Sequence, residues 1–191
     1  MNQKPKAVLF RELLEQPGVL TVPGCYDAIS AIMVENNGFP VAYMTGFGSS
    51  ASVIGQPDAG IMDFTQMSTH AGNMAHSISI PLIADGDTGY GNAVNVYRTV
   101  KTYAQYEVAA IQLEDQVSPK RCGHTQGKVI VPLNEMLGKL QAALDAAAEK
   151  DIVIIVRTDA RAVEGFDAAL ERCLAFEEAG ADVIFMEAPI S

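Results

Sequence analysis

The sequence predicts an α/β protein built on a parallel sheet. Six apolar runs recur along its 191 residues, and they are continuous rather than alternating, as strands covered on both faces are. The segments between them carry apolar residues at helical spacing. Every run also ends in glycine or in charged residues. Strands alternating with helices imply crossover connections and parallel pairing.

The first run, residues 19–22, leads to a helical pattern at 27–36 that stops before Gly38, a residue suited to the left-handed cap. The second run is 41–44, and residues 63–77 follow with helical spacing. The third, 80–84, precedes a helical pattern at 92–105. The fourth, 109–113, is followed by 134–150, rich in Ala and Leu with no internal Pro. Its one glycine, Gly138, costs about 1 kcal/mol against Ala. The fifth, 152–156, leads to 166–178, stopped by Gly180, and the sixth is 183–186. Six strands suit an open doubly wound sheet. They equally suit the first six units of an eight-fold barrel, which takes about 250 residues. In both architectures the chemistry gathers at the carboxyl ends of the strands.

Composition narrows the function. A chain that is 49% apolar without low-complexity tracts is globular. Its net charge of −10 argues against nucleic acid as a partner, because phosphate binding needs a basic face. The apolar runs are far shorter than a membrane span, and residues 1–10 lack the apolar core of a signal peptide. Three widely spaced cysteines make neither a disulfide framework nor a zinc site, and fit a reducing cytoplasm.

The strand ends converge in chemistry. They read Pro23-Gly24-Cys25-Tyr26-Asp27, then Tyr43 to Ser50, then Asp85-Gly86-Asp87, then Glu114-Asp115, then Arg157-Thr158-Asp159, then Glu187-Ala188-Pro189. Asp85 and Asp87 aim two carboxylates into one place, as a hard cation such as Mg²⁺ requires, and Glu114 completes the cluster through water. An acidic turn capping the next helix is the plainer reading, which Glu114 and Arg157 weigh against. Residues 46–51 match G-x-G-x-x-A after a strand, but the acid that a dinucleotide fold needs about 20 positions on falls in a helical pattern, at Asp63. Thr45, Gly46 and Phe47 are better read as amides and a hydroxyl for a substrate carboxylate, with a plain turn as the alternative.

The densest chemistry is the stretch 119–128, PKRCGHTQGK. Lys120, Arg121 and His124 around Cys122 would favour its thiolate and make it a general acid or base; a solvated basic turn is the competing reading. Cys173 sits in a helical pattern as core, Cys25 is ordinary, and His70 and His76 are structural or surface residues.

Together YMTGFGSSASVIGQPD, ADGDTGYG, QLEDQVSPKRCGHTQGK, RTDA and MEAP resemble the isocitrate lyase/phosphoenolpyruvate mutase superfamily, in the right order through nearly the whole chain. The resemblance implies a TIM-type (β/α)₈ barrel, truncated here after strand six. Residues 1–191 would be a single barrel domain lacking the last two βα units and a C-terminal helical extension. It implies that Asp85 coordinates Mg²⁺ (or Mn²⁺), with Asp58, Asp87 and Glu114 reaching the ion through water. It implies that Tyr43, Thr45, Gly46 and Phe47 hold a 2-oxo carboxylate, with Arg157 opposite; Thr45 stands where the family commonly has Ser. Cys122 points to the branch that cleaves carbon–carbon bonds in a retro-aldol manner, on 2-methylisocitrate, a 2-alkylmalate or oxaloacetate. Cys122 would protonate the departing carbon, Gly123 and His124 would bind its carboxylate, Glu187 would orient the loop, and Lys120 and Tyr43 join the catalytic set. Phosphorus–carbon mutase chemistry and an inactive 2-oxo-acid-binding homologue are the alternatives. A small dicarboxylate or tricarboxylate as partner, a homo-oligomer (a tetramer in the family) and a cytoplasmic location complete the expectation.

Overall fold

The computed structural model describes residues 4–189. Its elements are α1 (Lys6–Leu14), β1 (Gly24–Cys25), α2 (Ala28–Asn36), β2 (Ala42–Met44), α3 (Gly46–Val53), α4 (Phe64–Ser77), β3 (Leu82–Asp85), α5 (Ala93–Gln105), β4 (Ala110–Glu114), α6 (Leu133–Ala147), β5 (Val153–Thr158), α7 (Ala160–Val163), α8 (Phe166–Glu178) and β6 (Val183–Met186). All neighbouring strands pair in parallel, in the order β1-β2-β3-β4-β5-β6. A doubly wound sheet reverses its strand order at a switch point. This sheet never does, so of the two architectures it is the barrel wall.

Two apolar layers cover the sheet. Met44, Leu82, Ala84, Ile111, Leu113, Ile154 and Val156 pack outward against the helices. Val41, Ile83, Ala110, Val153 and Ile155 face the other way, and α1 closes that layer with Phe10. Along this inner face the chemistry changes with height. On β5 it runs from Val153 and Ile155 to Arg157, with Asp159 just beyond the strand, and on β3 from Ile83 to Asp85. The apolar residues fill the floor, so the charged ones have only the carboxyl-terminal rim to occupy.

Five helices, α2, α4, α5, α6 and α8, begin where expected or within a residue of it. Asp27, Asp63 and Asn92 cap α2, α4 and α5 with reciprocal capping boxes, which satisfy amides a helix start leaves orphaned. The helix α6 stops three residues before Lys150, and Asp151 beyond it takes a φ of 58°.

The first expected strand is wrong. Residues 19–22 form no ladder, and Val19 is 96% exposed; β1 is only Gly24–Cys25. Pro23 has no N–H, so the pairing with β2 starts with its carbonyl, which accepts from Tyr43 N at 3.0 Å. Leu20 and Val22 still pack on the inner cluster, so the apolar run fills space without pairing. Three helices had no sequence signal strong enough to be read: α1, α3 and α7. The α1 start has no side-chain cap, and α3 carries two glycines in its first turn.

Candidate active site

The carboxyl-terminal rim gathers Tyr43, Asp85, Asp87, Glu114, Arg157 and Glu187 from five consecutive strand ends, all of them buried or nearly so. Asp85 ends β3. Its Oδ2 accepts from Gly46 N at 3.1 Å and its Oδ1 from Asp87 N at 3.0 Å. Asp87 follows with a φ of 48°, a left-handed position that Asp tolerates better than most residues. Glu114 ends β4 with a carboxylate 1% exposed, and neither oxygen has a hydrogen-bond partner among the described residues. Burial, reinforced by Asp85, pushes the Glu114 carboxyl well above its ordinary range, although Arg157 pulls it down. Burial likewise pushes Asp87 up to about 7, with the Asp85 charge adding and Lys120 opposing.

Lys120 supplies the counter-charge. Its ammonium lies 2.5 Å from Asp58 Oδ1 and 2.9 Å from Asp87 Oδ1, the latter an ion pair without hydrogen-bond alignment. Burial works against that charge, yet Asp85, Asp87, Glu114 and Asp58 together raise the Lys120 pKa. Lys120 therefore serves the carboxylates, and Arg121 turns away to donate to the Gln126 carbonyl at 3.2 Å. Neither cation is free for the Cys122 thiol in the way the sequence suggested.

Arg157 leaves β5 into a nest of acids. Its Nε and Nη2 each lie 3.0 Å from an Asp159 oxygen, its Nη1 is 3.4 Å from Glu114, and its Nε is 3.5 Å from Glu187. Desolvation would lower its pKa, but Glu114 and Asp159 more than reverse this. The Cys122 loop lies directly above. A methyl group on Gly123 would collide with the Glu187 carboxylate and the Arg157 guanidinium, so only glycine lets the loop settle there. Cys122 is half-buried, His124 and Phe47 are solvent-exposed, and a cavity of about 810 Å³ opens beyond the loop between His124, Arg161 and Pro189.

Thr45, Gly46 and Phe47 need a correction in form. They open α3 rather than a turn, and the Thr45 hydroxyl is committed to capping Gly48 N at 3.0 Å. The Gly46 amide is committed to Asp85, so neither group is free as a carboxylate nest in this state. Tyr43 donates from its hydroxyl to Gln112 Oε1 at 2.9 Å, which leaves the buried Gln112 Nε2 without a partner. Gln112, Gln116, Lys128 and Asp159 are rim residues to which the sequence reading gave no role. Asp159 was the most findable, two residues beyond Arg157 at a strand end. Cys25 is buried, its thiol pushed up to about 12 chiefly by desolvation, and His70 binds the Tyr26 carbonyl at 2.7 Å.

Residues 10–189 match the family described as phosphoenolpyruvate phosphomutase. The chain belongs to the isocitrate lyase/phosphoenolpyruvate mutase superfamily. It is similar to 2,3-dimethylmalate lyase of Eubacterium barkeri, 51% identical over 96% of this chain and 63% of that protein. It is also similar to carboxyvinyl-carboxyphosphonate phosphorylmutase of Arabidopsis thaliana, 42% identical over 94% of this chain and 54% of that protein. With 2-methylisocitrate lyase of Bacillus subtilis it shares 41% identity over 98% of this chain and 61% of that protein. Among solved structures, 2,3-dimethylmalate lyase and oxaloacetate acetylhydrolase with 3,3-difluorooxalacetate each match with TM-score 0.95 and 41% identity, over 64% and 65% of their lengths. Phosphonopyruvate hydrolase, solved with oxalate and Mg²⁺, matches with TM-score 0.87 and 36% identity, over 97% of this chain and 64% of that one. The chain thus spans less than two thirds of these relatives.

The residues here fit such an ion in chemistry. Asp85, Asp87 and Glu114 offer hard oxygen donors in a buried, strongly acidic place, and both Glu114 oxygens lack hydrogen-bond partners among the described residues. Among the described residues no three acidic, His or Cys groups already converge as a cage. Lys120 stands among them instead, paired with Asp58 and Asp87.

Proposed function

We propose that this chain is a carbon–carbon lyase acting on a small 2-hydroxy or 2-oxo dicarboxylate or tricarboxylate, and that it forms one barrel domain with six βα units in these residues. The observation that carries the reading is the seating of Gly123 against Arg157 and Glu187, which brings Cys122 to the rim where the carboxylates gather. The names of the lyase relatives, and the oxaloacetate analogue bound to oxaloacetate acetylhydrolase, support the substrate class. Mg²⁺, held by Asp85 and its neighbours Asp87, Glu114 and Asp58, would polarise the 2-oxo or 2-hydroxy oxygen.

The side chains do the rest. Arg157 binds the substrate carboxylate and offsets the charge that develops beside it. The hydroxyl proton leaves to the buried carboxylate cluster of Asp85, Asp87 and Glu114. The carbon–carbon bond breaks, the half that carried the hydroxyl becomes the 2-oxo acid (or oxalate, where a 2-oxo substrate has first added water), and the electron pair of the bond passes to the other half. The Cys122 thiol gives that carbon its proton. Gly123 and His124 hold the second carboxylate, Glu187 fixes the loop, and Tyr43 fixes the floor through Gln112. Mg²⁺ in preference to Mn²⁺, a homo-oligomer and a cytoplasmic location belong to the same reading; no described helix is long and apolar enough to cross a membrane.

The test, with Mg²⁺, is release of a 2-oxo acid from a panel of 2-alkylmalates and 2-methylisocitrate, and of oxalate from oxaloacetate. Cys122→Ser is expected to lower the rate by about 10²–10⁴. Metal-dependent release that ignores the substitution excludes the thiol. The phosphorylmutase relative makes phosphonopyruvate turnover, followed by phosphorus NMR, the arm that would move the chain to the other branch.

A further inference from the structure

Asp159 is fully buried, and its carboxylate gathers four donors: Lys128 Nζ at 2.7 Å, Gln116 Nε2 at 3.2 Å, and Arg157 Nε and Nη2 at 3.0 Å each. Lys128 is buried too, and its ammonium makes a second bond, to the carbonyl of Gly123 at 2.5 Å. Gln116 pairs with the backbone of Arg121 in both directions, accepting from its N–H at 3.0 Å and donating to its carbonyl at 2.9 Å. Cys122 lies between those two anchors. The base of the loop closes by its own backbone, through Val117 N to the Val129 carbonyl at 2.8 Å. Its tip has no such ladder; beyond a local turn from Thr125 N to Cys122 O, it is held by side chains. Asp159 is itself fixed from behind: its N–H donates to Asp115 Oδ1 at 2.9 Å, and Asp115 also accepts from Thr158 and Arg172.

We infer that Asp159 is a positioning residue and Lys128 its latch, together coupling the orientation of Arg157 to the seating of the Cys122 loop. This rests on the lyase reading only for what the seated loop does. A buried Lys–Asp pair is a poor device for stability alone, since apolar residues of the same size do as well. Here each partner has a second duty. One carboxylate sets the guanidinium from two sides, and the same carboxylate holds the ammonium that grips the residue next to the thiol. Loop departure therefore strips Asp159 of one charge partner, and Arg157 of the neighbour that shields it. Gln116 joins both ends, touching Asp159 and Arg121 with one amide.

Hydrogen exchange of the intact chain, resolved to peptides over residues 119–128, tests this without turnover. Lys128→Met is expected to speed exchange in that segment about tenfold, the weight of a hydrogen bond to a charged group, while β4 and β5 keep wild-type protection. Lys128→Arg, which restores a cation, should recover most of the protection. Asp159→Asn should match Lys128→Met, and the double variant should add little to either. Where activity is measured, Lys128→Met should lower kcat more than it changes KM. Wild-type exchange at 119–128 in Lys128→Met, or faster exchange spread evenly over all strands, overturns the inference. So does a double variant whose effects multiply. If Asp159→Asn fails to fold, the Met and Arg pair at Lys128 decides alone. Absence of lyase activity would sink the function above and leave this result standing.

Discussion

Lys120 shows at the scale of one residue how a site can balance its own charge. Four acids surround its buried ammonium, and removing it leaves them facing one another. Breaking a buried ion pair costs about 3–5 kcal/mol, so Lys120→Met should lower the melting temperature of the metal-free protein by roughly 10 °C. Millimolar Mg²⁺ should close most of that gap, because the ion replaces the lost charge. A gap that Mg²⁺ leaves untouched means that the ion binds elsewhere. Asp87 gives the pH dependence. Its pKa is raised to about 7 when folded, from an ordinary carboxylate value when unfolded. The folded chain then holds an extra proton between about pH 4 and 7. Stability from this group is full below that window and is lost as the pH rises through 7. A cation must displace the same proton, so apparent Mg²⁺ affinity should fall, up to about tenfold per unit, as the pH drops below 7. Titration calorimetry in two buffers of different ionisation heat reads the proton directly; equal heats would contradict it.

At the scale of an element, the Cys122 loop depends on one missing side chain. Alanine at position 123 would meet both Arg157 and Glu187, and the guanidinium cannot retreat far, since Asp159 and Glu114 hold it. Gly123→Ala should therefore keep the loop off the rim. Activity is expected to fall at least 10²-fold, with the melting temperature nearly unchanged because the loop lies outside the core. An active Gly123→Ala would show that the loop works from another position. The helix α3 carries the complementary lesson. Gly46 and Gly48 speak against a helix, yet Thr45 caps it and Asp85 takes the first amide. A methyl group on Gly46 would strike Asp85, so the glycine is there for the carboxylate and the helix tolerates it.

At the scale of the molecule, parallel order and sequential pairing put five strand ends on one rim. Floor and rim divide the labour, with Phe10, Ile83, Val153 and Ile155 below and Asp85, Glu114 and Arg157 above. The strands at the two ends of the order are the weakest. β1 pairs over two residues, and every residue of β6 is only half-buried, against complete burial along β5. The α8 stripe of Phe166, Leu170 and Leu174 lies exposed beside that edge. Those features belong to a wall with six strands where the fold has eight.

Sequence by itself determined the layers and the inventory. Five of the six continuous apolar runs are strands, capping residues set the starts of α2, α4 and α5, and the acids, Arg157 and Cys122 at the run ends named the rim. All of this is local, and local periodicity and capping act over a few residues. Tertiary structure alone decided the strand order, the fate of residues 19–22, and who pairs with whom at the rim. Whether Lys120 serves the thiol or the carboxylates depends on where a loop lands, over 30 residues from its partners Asp87 and Asp58. The Asp159–Lys128–Gly123 latch likewise spans residues that meet only when β5 pairs with β4, since charge and hydrogen bonding act through space and leave no period in the chain.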